Sequence, residues 1–131
     1  MGDRISIQFV DSQSQWRDES PVLFSHWDGL SLMSEAEAYL DGLVEAAASK
    51  AAAQGRDRLD SFDPLDRLEP GTVMVDFIRH ITKRLDQVRG NYYLSPDEDQ
   101  GDNSDNGHFR LDVALYRTRG ENMVKQLSRR G

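Results

Sequence analysis

The sequence predicts an α+β fold, an antiparallel sheet in the order β-β-α-α-β-β with two helices packed on one face. Three observations carry this reading. Segments near both ends of the chain alternate apolar and polar residues with the period of a half-buried strand. Two segments between them repeat apolar residues at helical spacing. Strands and helices grouped in runs, instead of strictly alternating, assemble as separate layers.

Ile5, Ile7 and Phe9 alternate with Ser6 and Gln8 and give the first strand. Asp11 to Ser20 is polar and turn-like apart from Trp16. Pro21 then opens a second strand, Val22 to Trp27, with apolar residues on both faces, and Asp28-Gly29 ends it. Ser34 with Glu37 reads as a capping box. It starts a helix through Ala36, Leu40, Leu43, Val44, Ala47, Ala48 and Ala51 that Gly55 stops. Its alanine-rich second half has little bulk and suits close packing. Residues 56–71 read as a loop. From Thr72, a second helix presents Met74, Phe77, Ile78, Ile81 and Leu85 on one face and closes at Gly90. Tyr92, Tyr93 and Leu94 make a short strand stopped by Pro96. Phe109, Leu111, Val113 and Leu115 alternate with His108, Arg110, Asp112 and Ala114 as the last strand, whose polar face suits water or a partner. One domain therefore spans 1–116. Residues 117–131 follow as a basic segment, either a docked helix or an arm.

The chain has 131 residues, 23 acidic and 16 basic, for a net charge of −7. That balance argues against a nucleic-acid binder, which needs a basic face to displace counterions. The charge is segregated: five acids fall within 97–105, whereas the last 22 residues carry a net positive charge. Arg117, Arg119, Lys125, Arg129 and Arg130 form the basic cluster, with Tyr116 alone at its edge for stacking. The absence of cysteine removes disulfides, thiolate metal sites and a cysteine nucleophile. No apolar run reaches the ~18–20 residues of a membrane span, and the first residues lack a signal-peptide core, so a cytoplasmic protein is expected.

Asp102-Asn103-Ser104-Asp105-Asn106-Gly107 matches the first half of an EF-hand-type calcium loop. Asp102, Ser104 and Asn106 stand at positions one, three and five, Gly107 at the turn, and His108 would supply the carbonyl at seven. Alternate oxygen ligands at this spacing can surround one hard cation. Position twelve is Val113 where a bidentate Glu is needed, so Asp97, Glu98 and Asp99 would have to supply the missing carboxylates. The alternative is a solvated loop with Asn106-Gly107 as the turn into the last strand. His26 with Asp28 could perform acid–base work, although Ser25, the nearest nucleophile, faces the other way by alternation. The same residues also read as a strand end and an Asp-Gly turn. His26, His80 and His108 could meet at a metal with Asp112, but His80 reads more simply as a helix-surface residue. Phosphate-loop, HExxH and GxSxG patterns are absent from the sequence.

Gly2-Asp3-Arg4 before an Ile-x-Ile-x-Phe strand, followed by Ser20-Pro21-Val22-Leu23-Phe24-Ser25-His26-Trp27-Asp28-Gly29, resembles the opening of small archaeal, phage and plasmid proteins. Those proteins begin with GDR and carry a (Y/S)HW(G/D)G segment. The resemblance covers the first 30 residues and brings no catalytic role with it. It implies that Asp3, Arg4, His26, Trp27 and Asp28 belong together, as a clamp or as a ligand site.

Three functions follow in order. The first is a non-enzymatic interaction module that associates with itself as a homodimer. The second is a divalent-cation module of calcium type, with Asp97, Asp99, Asp102, Ser104, Asn106 and His108 as ligands. The third is a hydrolase-like enzyme around His26 and Asp28. Apart from calcium no cofactor is expected, and the expected partner is a second copy, with neither membrane nor nucleic acid.

Overall fold

The chain is described by a computed structural model covering residues 2–16, 18–84 and 91–130. Strand β1 runs Ile5–Asp11, β2 Asp18–Glu19, β3 Val22–Ser25, β4 Tyr92–Ser95 and β5 His108–Asp112. The helices are α1 Ser31–Ala53, α2 Pro70–Arg84 and α3 Val113–Arg130, with a short 3₁₀ turn at Glu98–Gln100. The α+β class stands, and β1 to β4 pair antiparallel as expected. Three parts of the expected arrangement change.

First, β5 pairs with β1 in parallel, from Ser6↔His108 to Val10↔Asp112. Val10 faces both Glu19 and Asp112, and Ile7 faces both Leu23 and Phe109. β5 therefore lies along one edge of β1, and β2 with β3 along the other. The sheet runs β5, β1, the interrupted β2/β3 arm, then β4, with β1 in the middle. β2 falls inside the stretch expected to be a turn, and the shift in register between it and β3 is absorbed at Ser20-Pro21.

Second, the last strand ends at Asp112, before Val113 and Leu115. Asp112 Oδ1 accepts the Ala114 amide at 3.0 Å, as an N-cap does, and so starts a third helix. Val113, Ala114, Gly120 and Val124 are buried whereas Leu115 is 68 % exposed, which is helical and not alternating burial. The basic segment after Arg117 is thus part of a docked helix continuous with residues before it.

Third, α1 begins at Ser31, so the Ser34–Glu37 capping box does not form, and the residue at the cap is Leu30 without a side-chain bond. The Gly29 amide is tied to the Asp3 carbonyl at 2.8 Å, and Leu32 N donates to Gly29 O, so the helix starts as the chain leaves that anchor. α1 ends before Gly55 (φ 73°), as the sequence indicates. α2 starts two residues early at Pro70, a residue suited to a first helical turn. The expected helix positions Leu85 and Gly90 lie outside the described residues.

The main core joins Ile5, Ile7 and Phe9 of β1 to Leu32, Leu40 and Val44 of α1 and to Val73, Met74 and Phe77 of α2. Phe9 meets Phe77 edge-on at 5.7 Å. A second cluster sets Ala47, Ala48 and Ala51 against Leu59 and Val124, so the small-residue half of α1 is covered from within the chain. Here α3 crosses α1 closely: a Cβ on Gly120 would stand 2.9 Å from Val44 Cγ1 and 3.0 Å from Leu59 Cδ1. Gly120→Val is expected to overpack this crossing and lower stability by about 1–3 kcal/mol, read as a lower urea midpoint at unchanged slope.

Candidate functional site

The side of β1 away from the main core carries Ser6 and Gln8, and both are buried, so this face needs internal partners for its polar groups. Gln8 Nε2 donates to Ser20 O at 2.8 Å. Ser6 Oγ lies 2.7 Å from His108 Nδ1 and accepts from Asn103 Nδ2 at 2.9 Å. Residues 96–107 form a strap over this face. Gly101 lies so close to the Phe24 ring that a Cβ there would approach to 2.5 Å. Phe24 in turn stacks on Tyr93 at 4.9 Å, and the Tyr93 hydroxyl accepts the Asp102 amide at 2.8 Å. The apolar second face of β3 and the polar face of β5 at His108 are therefore covered by the chain itself. Arg110, one pleat on, is exposed and pairs with Glu19 at 2.7 Å.

The strap is closed by Arg4. Its guanidinium reaches Asp102 Oδ2 at 2.6 Å and Asp105 Oδ2 at 2.9 Å, and its backbone amide also donates to Asp105. Asp105 is held below the usual carboxylate range by the hydrogen bond from the Arg4 side chain. Asp102 is lowered first by the Ser104 hydroxyl and amide, then by Arg4. Asn106 Nδ2 donates to Asp3 Oδ1 at 2.6 Å and to Arg4 O at 3.0 Å.

This geometry does not assemble the expected calcium set. Asp102 bonds Ser104 and Arg4, Asn106 turns to Asp3, and His108 points at Ser6. Asp97 caps its own turn by accepting the Asp99 amide. Among the described residues, no group of three or more His, Asp or Glu is arranged to hold a metal ion. The cation at the centre of this loop is the chain's own guanidinium.

Next to the strap, the end of β3 forms a second polar knot around Asn91, which is fully buried. Asn91 Oδ1 accepts from Ser25 Oγ at 3.1 Å, His26 N at 2.9 Å and Trp27 N at 2.8 Å, while Nδ2 donates to Asp28 Oδ1 at 2.9 Å. Past Ser25 the His26 amide is shared between the Asn91 carbonyl at 2.8 Å and its side chain, and the Trp27 amide turns to the side chain, where β3 ends. The other Asp28 oxygen accepts from the Tyr92 hydroxyl. Asp3 N donates to His26 O at 2.8 Å, so residues 2–4 and 25–29 do meet.

The expected His26–Asp28 pair is not formed. Both Asp28 oxygens are engaged elsewhere, and the His26 ring lies edge-on to Trp27 at 4.4 Å. Ser25 Oγ is buried, donating to Asn91 and accepting from Asp28 N at 3.0 Å. His80 is also apart, against Tyr39 at 5.4 Å beside an open groove of about 540 Å³ between α1 and α2. The three histidines therefore do not converge.

No family model, curated protein or solved structure matches this chain. The reading of the site rests on its own contacts, which describe a fastening: Ser25, Asp28, Asp102, Asn106 and His108 are each bonded to another segment of the fold, while Asp97 and Ser104 bond within the loop itself. Two residues central to it, Asn91 and Ser6, carried no sequence signal beyond being polar, and their importance comes from burial.

Two measurements check this account. Asn91→Ala strands the Trp27 amide and the Ser25 hydroxyl, and is expected to cost about 2–4 kcal/mol in urea unfolding. The His108 side chain is only 8 % exposed, and burial lowers its pKa, with Glu98 at 3.8 Å opposing. The unfolded chain then binds a proton that the fold resists. Stability is full above the ordinary imidazole value of about 6.5, falls as pH drops below it, and levels off once the folded imidazole is protonated. His108→Asn, which keeps a polar atom near Ser6, is expected to flatten that part of the stability–pH curve. An equal slope in both proteins would contradict the assignment.

Proposed function

We propose that the protein is a non-catalytic interaction module that associates with itself through its two oppositely charged ends. Of the features that motivate self-association, the alanine face of α1 is covered by α3 and the outer face of β3 by the strap. Of those features, the segregated charge is the one that stays on the surface.

At the strap end, Asp97, Glu98 and Asp99 are exposed. Among the described residues Asp97 and Asp99 have no cation paired to them, and Glu98 lies 3.8 Å from His108. Lys125 and Arg129, one turn apart on α3, are exposed and also lack an ion pair among the described residues, whereas Arg117 and Arg119 are engaged by Asp11 and Asp41. These groups stand on different elements. α1 starts beside Asp3 at the strap end and runs 23 residues, about 34 Å at 1.5 Å per residue. The last turns of α3 lie against the far end of α1, where Ser128 Oγ donates to Arg56 O.

Two copies laid side by side and antiparallel place each acidic strap against the partner's α3 end. Both charge matches are then made at once, and the assembly closes at a dimer. The observation that carries the reading is that, among the described residues, the acids without a paired cation lie on the strap over the sheet, whereas the bases without a paired acid lie on the last turns of α3, on a different element.

Light scattering tests it. A dimer is expected at micromolar concentration in low salt, dissociating as ionic strength rises and the attraction is screened. Lys125→Glu with Arg129→Glu is expected to give a monomer, and adding Asp97→Lys with Asp99→Lys to restore the dimer. A monomer under all low-salt conditions, or a dimer insensitive to salt and to both charge changes, overturns the proposal. Deleting residues 117–131 is not a clean test, because it removes Gly120 and Val124 from the packed helix pair.

A further inference from the structure

The strap ends in Asn106-Gly107, a sequence in which the next backbone nitrogen can reach the side-chain carbonyl carbon because glycine offers no side chain to hinder it. We propose that Asn106 is a deamidation site, that the closed strap restrains the reaction, and that its product keeps the strap from closing again. The proposal is independent of self-association.

The closed geometry holds every reacting part. The Gly107 amide, which must become the nucleophile, donates to Asn103 O at 2.7 Å, and that bond has to break first. The Asn106 side-chain amide, the leaving group, is fixed by Asp3 Oδ1 at 2.6 Å and Arg4 O at 3.0 Å. The Asn106 backbone amide also donates to Arg4 O at 3.0 Å, and Gly107 O accepts from Ser6 N at 3.1 Å, so both sides of the reacting peptide are pinned to β1 and the residue before it. Gly107 itself has φ of 88° and nothing within 4 Å of its missing Cβ, so water has access once these bonds open.

When the strap lifts, the deprotonated Gly107 nitrogen attacks Asn106 Cγ and forms a five-membered succinimide. The Cγ–N bond breaks and the side-chain nitrogen leaves as ammonia. Water then adds to either imide carbonyl, giving Asp or isoaspartate at 106. The new carboxylate would face the Asp3 carboxylate and the Arg4 carbonyl, so that three acceptors meet where one amide had supplied the donors. Loss of ammonia makes the change one-way, and the acidic end of the molecule gains one negative charge.

The test has two arms. In the first, wild type, Asp102→Ala and a synthetic peptide of residues 103–110 are incubated in warm, mildly alkaline buffer, and conversion at Asn106 is followed by peptide mass spectrometry. Conversion is expected fastest in the peptide, slowest in wild type and intermediate in Asp102→Ala, whose ion pair to Arg4 is lost. Equal rates in protein and peptide, or no conversion in the peptide, overturn the proposal. In the second arm, hydrogen exchange is measured on Asn106→Asp, the mimic of the product. Its strap amides are expected to exchange about tenfold faster or more than wild type, while α1 amides are unchanged. Asp3→Asn combined with Asn106→Asp returns an amide donor to the pair and is expected to restore protection. Strap protection equal to wild type in the single variant, or no recovery in the double variant, removes the latch.

Discussion

The fold depends on β1 being buried on both faces. A strand that alternates Ile5, Ile7, Phe9 with Ser6, Gln8 is written for one wet side, yet Ser6 is fully buried and Gln8 only 5 % exposed. Each of their polar groups must find a partner inside the protein, because an unpaired one costs more than a made bond gains. Gln8 finds Ser20, just past β2. Ser6 finds His108 and Asn103, about a hundred residues later. That requirement draws the strap over the sheet and seats β5 next to β1 in parallel.

Several contacts close the strap, and they do not contribute equally. The Arg4 ion pairs are exposed to solvent, and pairs of that kind add little on their own. They set register: a planar guanidinium reaching Asp102 and Asp105 together permits few arrangements of the loop. The larger contribution comes from what the strap removes from water, chiefly the Phe24 ring beneath Gly101 and the Ser6–His108 pair. The missing side chain at Gly101 is thus a packing requirement and not a turn requirement, since Phe24 occupies the space a Cβ would need.

The elements legible in the sequence were those whose pattern is generated locally. β1, α2 and most of α1 show their periods because each buries one continuous stripe. What failed did so where a distant residue decides. Ser34 and Glu37 look like a cap, but the start of α1 is set by Gly29 held to Asp3. Val113 and Leu115 continue an apolar alternation that agrees for two residues with a helix started by Asp112, and only burial separates the two patterns. β2 is two residues long and has no period at all. The N-terminal residues expected to lie beside the end of the second strand do meet it, at Asp3 N to His26 O and Gly29 N to Asp3 O, yet the residue that gathers that strand end, Asn91, is a single polar residue on the edge of a strand. Such a residue is recognisable only once its surroundings are known to exclude water.

The calcium-like motif shows how local chemistry can be right and its partner wrong. Oxygen-rich residues in a tight loop are suited to a cation, and this loop does close on one. The groups that converge on it stand at positions one and four, Asp102 and Asp105, and a protein guanidinium fills the centre. Ser104 and Asn106, which a metal loop would turn inward, bond to Asp102 and Asp3 instead. The five acids of the strap therefore separate into an inner pair bridged by Arg4 and an outer group, Asp97, Glu98 and Asp99, that is exposed. The inner pair ties the strap to Arg4, and the outer group has no such tie to the described residues before β1.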